Sequence, residues 1–211
     1  MRYRRVRFAL AALAAPAFVF TTIAAPAASA QSQLSLRIEP RYTAADVQFM
    51  QGMIGHHAQA VVMATMAPTH GAGSQVALFC RKILSSQADE IELMQNWLRE
   101  RGEKVPDPKD PHAGMDMRMP GHAMLMPGML TDEQMKQLDQ ARDKEFDRLF
   151  LTFMIQHHEG AITMVAKLFD SPGAGQTPEI FGFATGVDAD QRAEIGRMQS
   201  MLATITGSNT K

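Results

Sequence analysis

The chain has 211 residues, of which 45% are hydrophobic and 20% are charged, and its formal net charge is −1. Such a composition is typical of a globular protein with one domain or a small pair of domains. Because Cys80 is the only cysteine, an internal disulfide and a cysteine-based structural zinc site are both excluded.

The first thirty residues have the features of an export signal. Four arginines precede an Ala-rich apolar run, and Ala28-Ser29-Ala30 fits the small-x-small pattern of a signal-peptidase site. A membrane anchor is the alternative, but two prolines interrupt the run. We therefore predict a signal peptide over 1–30 that is cleaved near Ala30, followed by an N-terminal extension over 31–42. The mature protein should be periplasmic or secreted, without stable membrane insertion.

Removal of the signal changes the charge balance. The mature chain keeps 17 basic and 22 acidic side chains, a net charge of −5. Nucleic acid is excluded as a partner, because no basic patch remains to neutralise phosphates. The sequence also contains no evident constellation of nucleophile and base, so we predict that the protein is not an enzyme.

Two helices are predicted in the first half of the chain. The first begins at Thr43, where Asp46 three residues later forms a capping-box-like pair, and it ends before Pro68. The second runs from about Ser74 to Arg101, and the glycine that follows provides a C-terminal stop.

The second half restarts helix at Thr131, as a short piece leading into a long helix that ends near Phe169. Pro178 then stands at the first position of the last helix, where its missing N–H does no harm. The predicted plan has a first repeat, an irregular insert, a second repeat and a tail: 43–101, 103–130, 131–205 and 206–211.

An internal repeat relates the two halves, with an offset of 101 residues between the two His-His segments. Residues 53–63 (MIGHHAQAVVM) line up with residues 154–164 (MIQHHEGAITM), and a Gln-x-x-Glu-Ile motif occurs at 87–91 and again at 191–195. Each half is therefore predicted to be a helical hairpin. Two hairpins bury their apolar stripes best against each other, so we predict an all-α, ferritin-like four-helix bundle over 43–205.

The histidine pairs of the repeat cannot face one way, because neighbouring helical residues point about 100° apart. On a helical wheel, His57 and His158 lie at the centre of their apolar stripes, and His56 and His157 lie at the edge. The neighbouring helices place polar residues in their own apolar stripes at the equivalent positions: Gln87, Glu90, Gln191 and Glu194.

The predicted bundle thus contains a polar layer, whose groups must be satisfied by one another, by water or by a metal. A doubled and repeated histidine pair favours a metal, with Met53 and Met154 one turn before the inner histidines. The alternative is a hydrogen-bonded layer that sets helix register without a metal. If copper binds, either each pair divides its roles, or the inner His57 and His158 are structural and His56 and His157 work with methionines. We expect weaker roles for Met63 and Met164, since methionine in a helix stripe usually fills the core.

The insert is rich in methionine and histidine but has no helical period. Thioether sulfur suits Cu(I) and Ag(I), whereas imidazole suits Cu(II) or Zn(II), so the combination predicts copper in either oxidation state, with silver as a surrogate. The alternative is a hydrophobic loop that caps one end of the bundle. The candidate ligands are His112, Met115, Met117, Met119, His122, Met124, Met126 and Met129.

The repeated motifs, together with the stretches 126–134 (MPGMLTDEQ) and 146–150 (FDRLF), resemble a bacterial ferritin-like family long labelled a domain of unknown function. The resemblance spans roughly residues 42–202 and implies the fold. Because the family includes an exported copper-binding protein, it also implies copper binding and a role in copper resistance. The family's motif positions fall on His56, His57, His157, His158, Met53 and Met154.

The leading hypothesis is an exported copper buffer, chaperone or resistance factor, with metal ions and other copper-handling proteins as its partners. A helical scaffold or interaction domain is the first alternative. A ferritin-type di-metal oxidase is the second, but such sites use Glu-x-x-His motifs. The chain has none, and it offers only Glu90 and Glu194 as central carboxylates.

Overall fold

The computed structural model describes residues 42–109 and 125–207, which all belong to one compact unit. Within these ranges the chain forms five helices and no strand, which confirms the all-α prediction. The helices are α1 (Ala44–Thr65), α2 (Ser74–Glu100), α3 (Asp132–Gln140), α4 (Asp143–Asp170) and α5 (Pro178–Gly207). The predicted signal peptide and six candidate ligands lie outside the described residues: His112, Met115, Met117, Met119, His122 and Met124.

The helix starts follow the local sequence signals. Thr43 caps α1 in a complete capping box with Asp46. Thr131 forms the same arrangement with Gln134 at the start of α3. In each box the two side chains bond reciprocally to backbone N–H groups that have no partner within the helix. Among the described helices, none is long and apolar enough to cross a membrane.

The helices pack as two hairpins, α1 with α2 and α4 with α5, and α1 contacts α4 between the hairpins. Buried apolar side chains form two clusters. The Phe150 cluster includes Met63 of α1 and Met154 of α4. The Trp97 cluster includes Met53 of α1 and Ala161 of α4. Since the early part of α1 shares a cluster with the late part of α4, the two helices run antiparallel, and the histidines lie between the clusters.

Two reciprocal contacts tie each half to the hairpin loop of the other. Asp46, at the start of α1, accepts a hydrogen bond from the backbone N–H of Gly175 at 2.7 Å. Asp147, near the start of α4, accepts from Gly73 N–H with both carboxylate oxygens at 3.1 Å. Both aspartates are buried. The repeat therefore builds its inter-half contacts twice, with the roles of the halves exchanged.

Candidate metal centre

Four fully buried histidines meet where α1 packs against α4. The rings of His56 and His157 stack across the helix interface, with centroids 3.8 Å apart and an interplanar angle of 37°. His57 lies 6.4 Å from His56, and His158 lies 6.3 Å from His157, measured between ring centroids. The four rings therefore form a row that runs from the first half of the chain into the second, in the order His57, His56, His157, His158.

The prediction that His56 and His157 lie at the margin of the core is wrong, because both are fully buried. On an isolated helix each would lie at the edge of the apolar stripe. In the folded protein, however, the ring of each covers the ring of the other. A loop segment also closes over His56.

The histidine at each end of the row is bonded to the glutamate of its own hairpin. His57 Nε2 donates to Glu90 Oε2 at 2.5 Å, and His158 Nε2 donates to Glu194 Oε2 at 2.9 Å. The prediction that Gln87, Gln191 and Glu194 enter the core is confirmed. The side chain of Glu90 stays 25% exposed.

A lysine of the first hairpin lies close to the glutamate at the His158 end of the row. Lys82 of α2 places Nζ 3.6 Å from Glu194 Oε1, so a cation of the first hairpin approaches a carboxylate of the second. Burial alone would raise the pKa of Glu194. The His158 hydrogen bond and the charges of His158, Lys82 and Arg197 outweigh it, so the pKa lies below the usual value.

The central pair lacks comparable partners. His56 Nε2 donates to the backbone oxygen of Pro127 at 3.0 Å. Its Nδ1 has no hydrogen-bond partner among the described residues, and neither ring nitrogen of His157 forms a hydrogen bond of normal geometry to them. Burial, with the nearby histidines, lowers the pKa of His56 to about 3. Burial and the same repulsion hold the pKa of His157 well below its ordinary value, which a weak interaction with the His56 backbone offsets only in part.

The segment that covers the central pair is Leu125–Leu130, which we call the strap. Gln59 of α1 exchanges two hydrogen bonds with the backbone of Leu130, and Gln156 of α4 donates to Gly128 O. The strap lies so close to α4 that a Cβ at Gly160 would stand 2.0 Å from Pro127 O. Only glycine leaves room for this approach of backbone to backbone.

The methionines divide into two groups. Met53, Met154 and Met63 are fully buried in the apolar clusters. Met126 of the strap and Met164 of α4 instead approach each other above Gly52. A Cβ at Gly52 would stand 3.2 Å from Met126 Sδ and 3.4 Å from Met164 Cε. Gly52 is one turn before His56, so these two partly buried methionines pack on the turn of α1 that precedes the central pair. Met129 of the strap is buried.

Within residues 42–109 and 125–207, no three His, Cys, Asp or Glu side chains form a group that could hold a metal ion. The described part therefore lacks a site made only of these ligand types. It offers a stacked imidazole pair with unpartnered nitrogens and thioethers nearby. That donor set matches the soft or borderline ions of the copper group better than iron or magnesium.

Two other side chains of types that bind metals, His70 and Cys80, have donor atoms that are already hydrogen-bonded or protonated. His70 is buried, with Nδ1 bonded to Thr69 Oγ1 and Nε2 to Asp139 O. Burial raises the pKa of the Cys80 thiol to about 12, so it stays protonated in the Phe150 cluster. The internal repeat gives no indication that His70 is buried, because this residue lies outside the duplicated motif.

The fold and this site define a class of all-helical proteins built from a repeated His-His hairpin. The chain belongs to the DUF305 family (Domain of unknown function), whose sequence profile matches residues 46–202. The family predicted from the motifs is thereby confirmed. No curated protein matches the chain.

Several solved structures share the fold. A DUF305 protein from Streptomyces coelicolor, described as a candidate secreted protein, is 27% identical, with a TM-score of 0.64 over 77% of this chain and 94% of its own. A DUF305 fragment from Deinococcus radiodurans is 28% identical, with a TM-score of 0.63 over 77% and 98%. CopM in its Cu(II)-bound form is 27% identical, with a TM-score of 0.59 over 75% and 96%. CopM structures with Cu(I) and with Ag are similar as well.

Proposed function

We propose that this protein binds copper outside the cytoplasm, as a buffer, chaperone or resistance factor, with His56 and His157 at the centre of the site. The observation that carries the proposal is that this buried pair lacks most of its hydrogen bonds. His56 and His157 are fully buried, yet three of their four ring nitrogens have no partner among the described residues. Leaving a buried polar atom unbonded costs about 1–3 kcal/mol. Each neutral ring carries one lone pair, on Nδ1 of His56 and on one nitrogen of His157, and a metal ion would satisfy both.

The protonation state of the pair supports the same conclusion. Metals bind the unprotonated nitrogen of a neutral imidazole. Since burial lowers the pKa of His56 to about 3 and depresses that of His157, both rings are neutral over the physiological range. Neither histidine has to release a proton before it binds a metal ion, so this pair is ready to act as a ligand at neutral pH.

The surrounding donors favour copper over harder ions. Met126 and Met164 lie over Gly52, one helical turn before His56, and are the described thioethers that we assign to the site. Sulfur and imidazole donors suit Cu(I) and Cu(II), with silver as a surrogate for Cu(I). CopM has been crystallised with Cu(II), Cu(I) and Ag, which supports the same choice.

His57 and His158, at the two ends of the row, are held by glutamates through Nε2, and Nδ1 of each has no partner among the described residues. His57 and His158 each donate Nε2–H to a glutamate of the same hairpin. Such pairs fix the register of α1 on α2 and of α4 on α5, and they orient the imidazoles. Within the proposal, the central pair binds the ion, and His57 and His158 flank it with Nδ1 still available as a further ligand.

The predicted export signal supports a role in the periplasm or outside the cell. The first thirty residues carry an arginine-rich start, an apolar run and a small-x-small cleavage pattern. Copper is handled there without competition from the thiols of the cytoplasm. The candidate partners are therefore the ion itself and other exported copper-handling proteins.

Calorimetric titration of the chelator-treated mature protein with Cu(I) and with Cu(II) tests the proposal. The double variant His56→Gln/His157→Gln should lose the tightest site. His70→Gln is the matched control, because it removes a buried histidine whose nitrogens are both bonded. If the double variant binds copper as tightly as the wild type, or if the wild type binds no tighter than an exposed histidine peptide, the proposal fails.

A further inference from the structure

The strap is attached to both helices that carry the central histidines. On α1, Gln59 Oε1 accepts from Leu130 N–H at 2.7 Å, and Gln59 Nε2 donates to Leu130 O at 3.0 Å. On α4, Gln156 Nε2 donates to Gly128 O at 3.3 Å. Two glutamine side chains therefore hold a loop that has no backbone ladder to either helix.

The strap separates the central pair from solvent on one side. Leu125 and Pro127 are themselves exposed, while Pro127 O accepts a hydrogen bond from His56 Nε2. A single layer of chain thus lies between that ring nitrogen and water. While Pro127 O accepts the Nε2–H of His56, the lone pair of this ring lies on Nδ1. An ion or reagent can bind Nε2 only after the strap has moved and the proton has shifted to Nδ1.

The internal repeat departs from symmetry at the positions that hold the strap. Gln59 of the first half corresponds to Gly160 of the second, and Gln156 corresponds to Gly55. Gln59 bonds the strap, and Gly160 lets its backbone lie against α4. A symmetric pair of halves would need neither difference. These substitutions fit the single strap, which crosses the interface once.

We propose that the strap is a gate over the His56–His157 pair and that Gln59 is its latch. When the amide of Gln59 is bonded to Leu130, the strap lies on α4 and the pair is closed. When these bonds break, Leu125–Leu130 lifts and His56 Nε2 becomes accessible. The gate is a property of the metal-free protein, and it rests on the proposed function only in taking copper as the solute that it admits.

Two variants open the gate by different physical routes. Gln59→Ala removes both latch hydrogen bonds. Gly160→Ala places a methyl group 2.0 Å from Pro127 O and forces the strap away. Alanine also favours helix over glycine, so the second variant should not weaken α4 itself.

Matched controls exist for both variants. Gln51→Ala also removes an amide contact from α1 to a backbone carbonyl, that of Lys104, but this contact lies away from the strap. Gly196→Ala places a methyl group on α5, where a Cβ would meet nothing within 4 Å. Circular dichroism shows whether each full-length variant keeps its helix content.

The readout is the rate at which diethyl pyrocarbonate modifies His56 and His157 in chelator-treated protein, followed by peptide mass spectrometry. In the wild type both residues should react far more slowly than in the urea-unfolded chain. Gln59→Ala and Gly160→Ala should each raise the rate by about tenfold, as expected for loss of the bonds or contacts that keep a local segment closed. Gln51→Ala and Gly196→Ala should leave the rate unchanged.

The gate is disproved if both opening variants react at the wild-type rate, or if the wild type already reacts as fast as the unfolded chain. Copper titration of the same proteins keeps this result separate from the proposed function. If the opening variants lose protection but no protein binds copper, the gate stands and the copper proposal fails. If copper binds while protection is equal in all proteins, the gate fails and the copper proposal stands.

Discussion

Asp147 and Gly73 form the contact through which the second half of the protein holds the loop of the first. Both carboxylate oxygens of Asp147 accept the Gly73 backbone N–H at 3.1 Å, just before α2 begins. Gly73 is the N-cap of α2 and has no side chain to cap it. The aspartate of one hairpin therefore supplies a negative charge to the helix start of the other.

Replacing Asp147 with alanine should destabilise the protein by about 1–3 kcal/mol, because Gly73 N–H loses its partner in a largely buried position. Asp46→Ala should cost at least as much, since it also removes the capping box of α1. Urea denaturation measures both. Asp188→Ala is the control, because it removes only an exposed i,i+4 pair with Arg192 and should cost less than about 0.5 kcal/mol. Equal losses of stability in all three variants would contradict the role of the two aspartate contacts between the halves.

The copper-free protein should lose stability as the pH falls below about 6.5. The folded-state pKa of His56 is about 3, and that of His157 is also depressed, so the unfolded chain binds these protons more readily. Stability is thus fully present above the unfolded pKa and declines as pH falls toward the folded one. At about pH 5, His56 should cost about 2 kcal/mol, and His157 should add to this loss in the same direction. Urea midpoints at a series of pH values test this, and His157→Gln should show a shallower decline than the wild type.

Glu194→Ala should destabilise the protein more than Glu90→Ala. Both remove the partner of a fully buried histidine, but the side chain of Glu194 is 7% exposed and that of Glu90 is 25% exposed. Water can therefore reach His57 more easily than His158 after the change. Breaking a buried pair typically costs about 3–5 kcal/mol, an upper bound for Glu194→Ala. Thermal unfolding compares the two variants. A larger loss of stability for Glu90→Ala than for Glu194→Ala would contradict the prediction that the His158–Glu194 pair is the less solvated of the two.

Copper should stabilise the folded protein, and a chelator should remove the effect. A ligand that binds only the folded state contributes about 2.7 kcal/mol at a hundredfold excess over its dissociation constant. The expected result is a rise in the midpoint of thermal unfolding with Cu(I) or Ag(I) in the wild type and in His70→Gln. The rise should be absent in His56→Gln/His157→Gln. A scaffold whose histidines only set register predicts no response to either ion or chelator.

Much of the fold follows from local signals in the sequence. Thr43 with Asp46 marks the start of α1, and Pro178 marks the start of α5, because capping and proline geometry depend on a few neighbouring residues. The repeat likewise predicts two hairpins, since each copy repeats the same apolar stripe. The polar residues of α2 and α5 were expected inside the core, and Gln87, Gln191 and Glu194 are there.

The parts of the site that sequence reasoning missed depend on contacts between distant segments. Pro127 is 71 residues from His56, yet its carbonyl accepts the imidazole N–H. Gln59 and Gly160 look like an ordinary mismatch in the repeat, and their roles appear only when the strap lies against both helices. That mismatch was nevertheless a usable signal, because the surrounding residues match closely.

The sequence by itself determined the four His-His residues, the hairpins that carry them and the glutamates opposite, since helical periodicity is a property of neighbouring residues. Only the tertiary structure decided which histidines meet. A helical wheel places His56 and His157 at an edge, but the packing of α1 against α4 turns the two edges into one buried, stacked pair. It also joins Nε2 of His57 and of His158 to glutamates, and it leaves three of the four ring nitrogens of the central pair without partners among the described residues. Burial and pairing are set by the surfaces that two helices share, and no single helix contains that information.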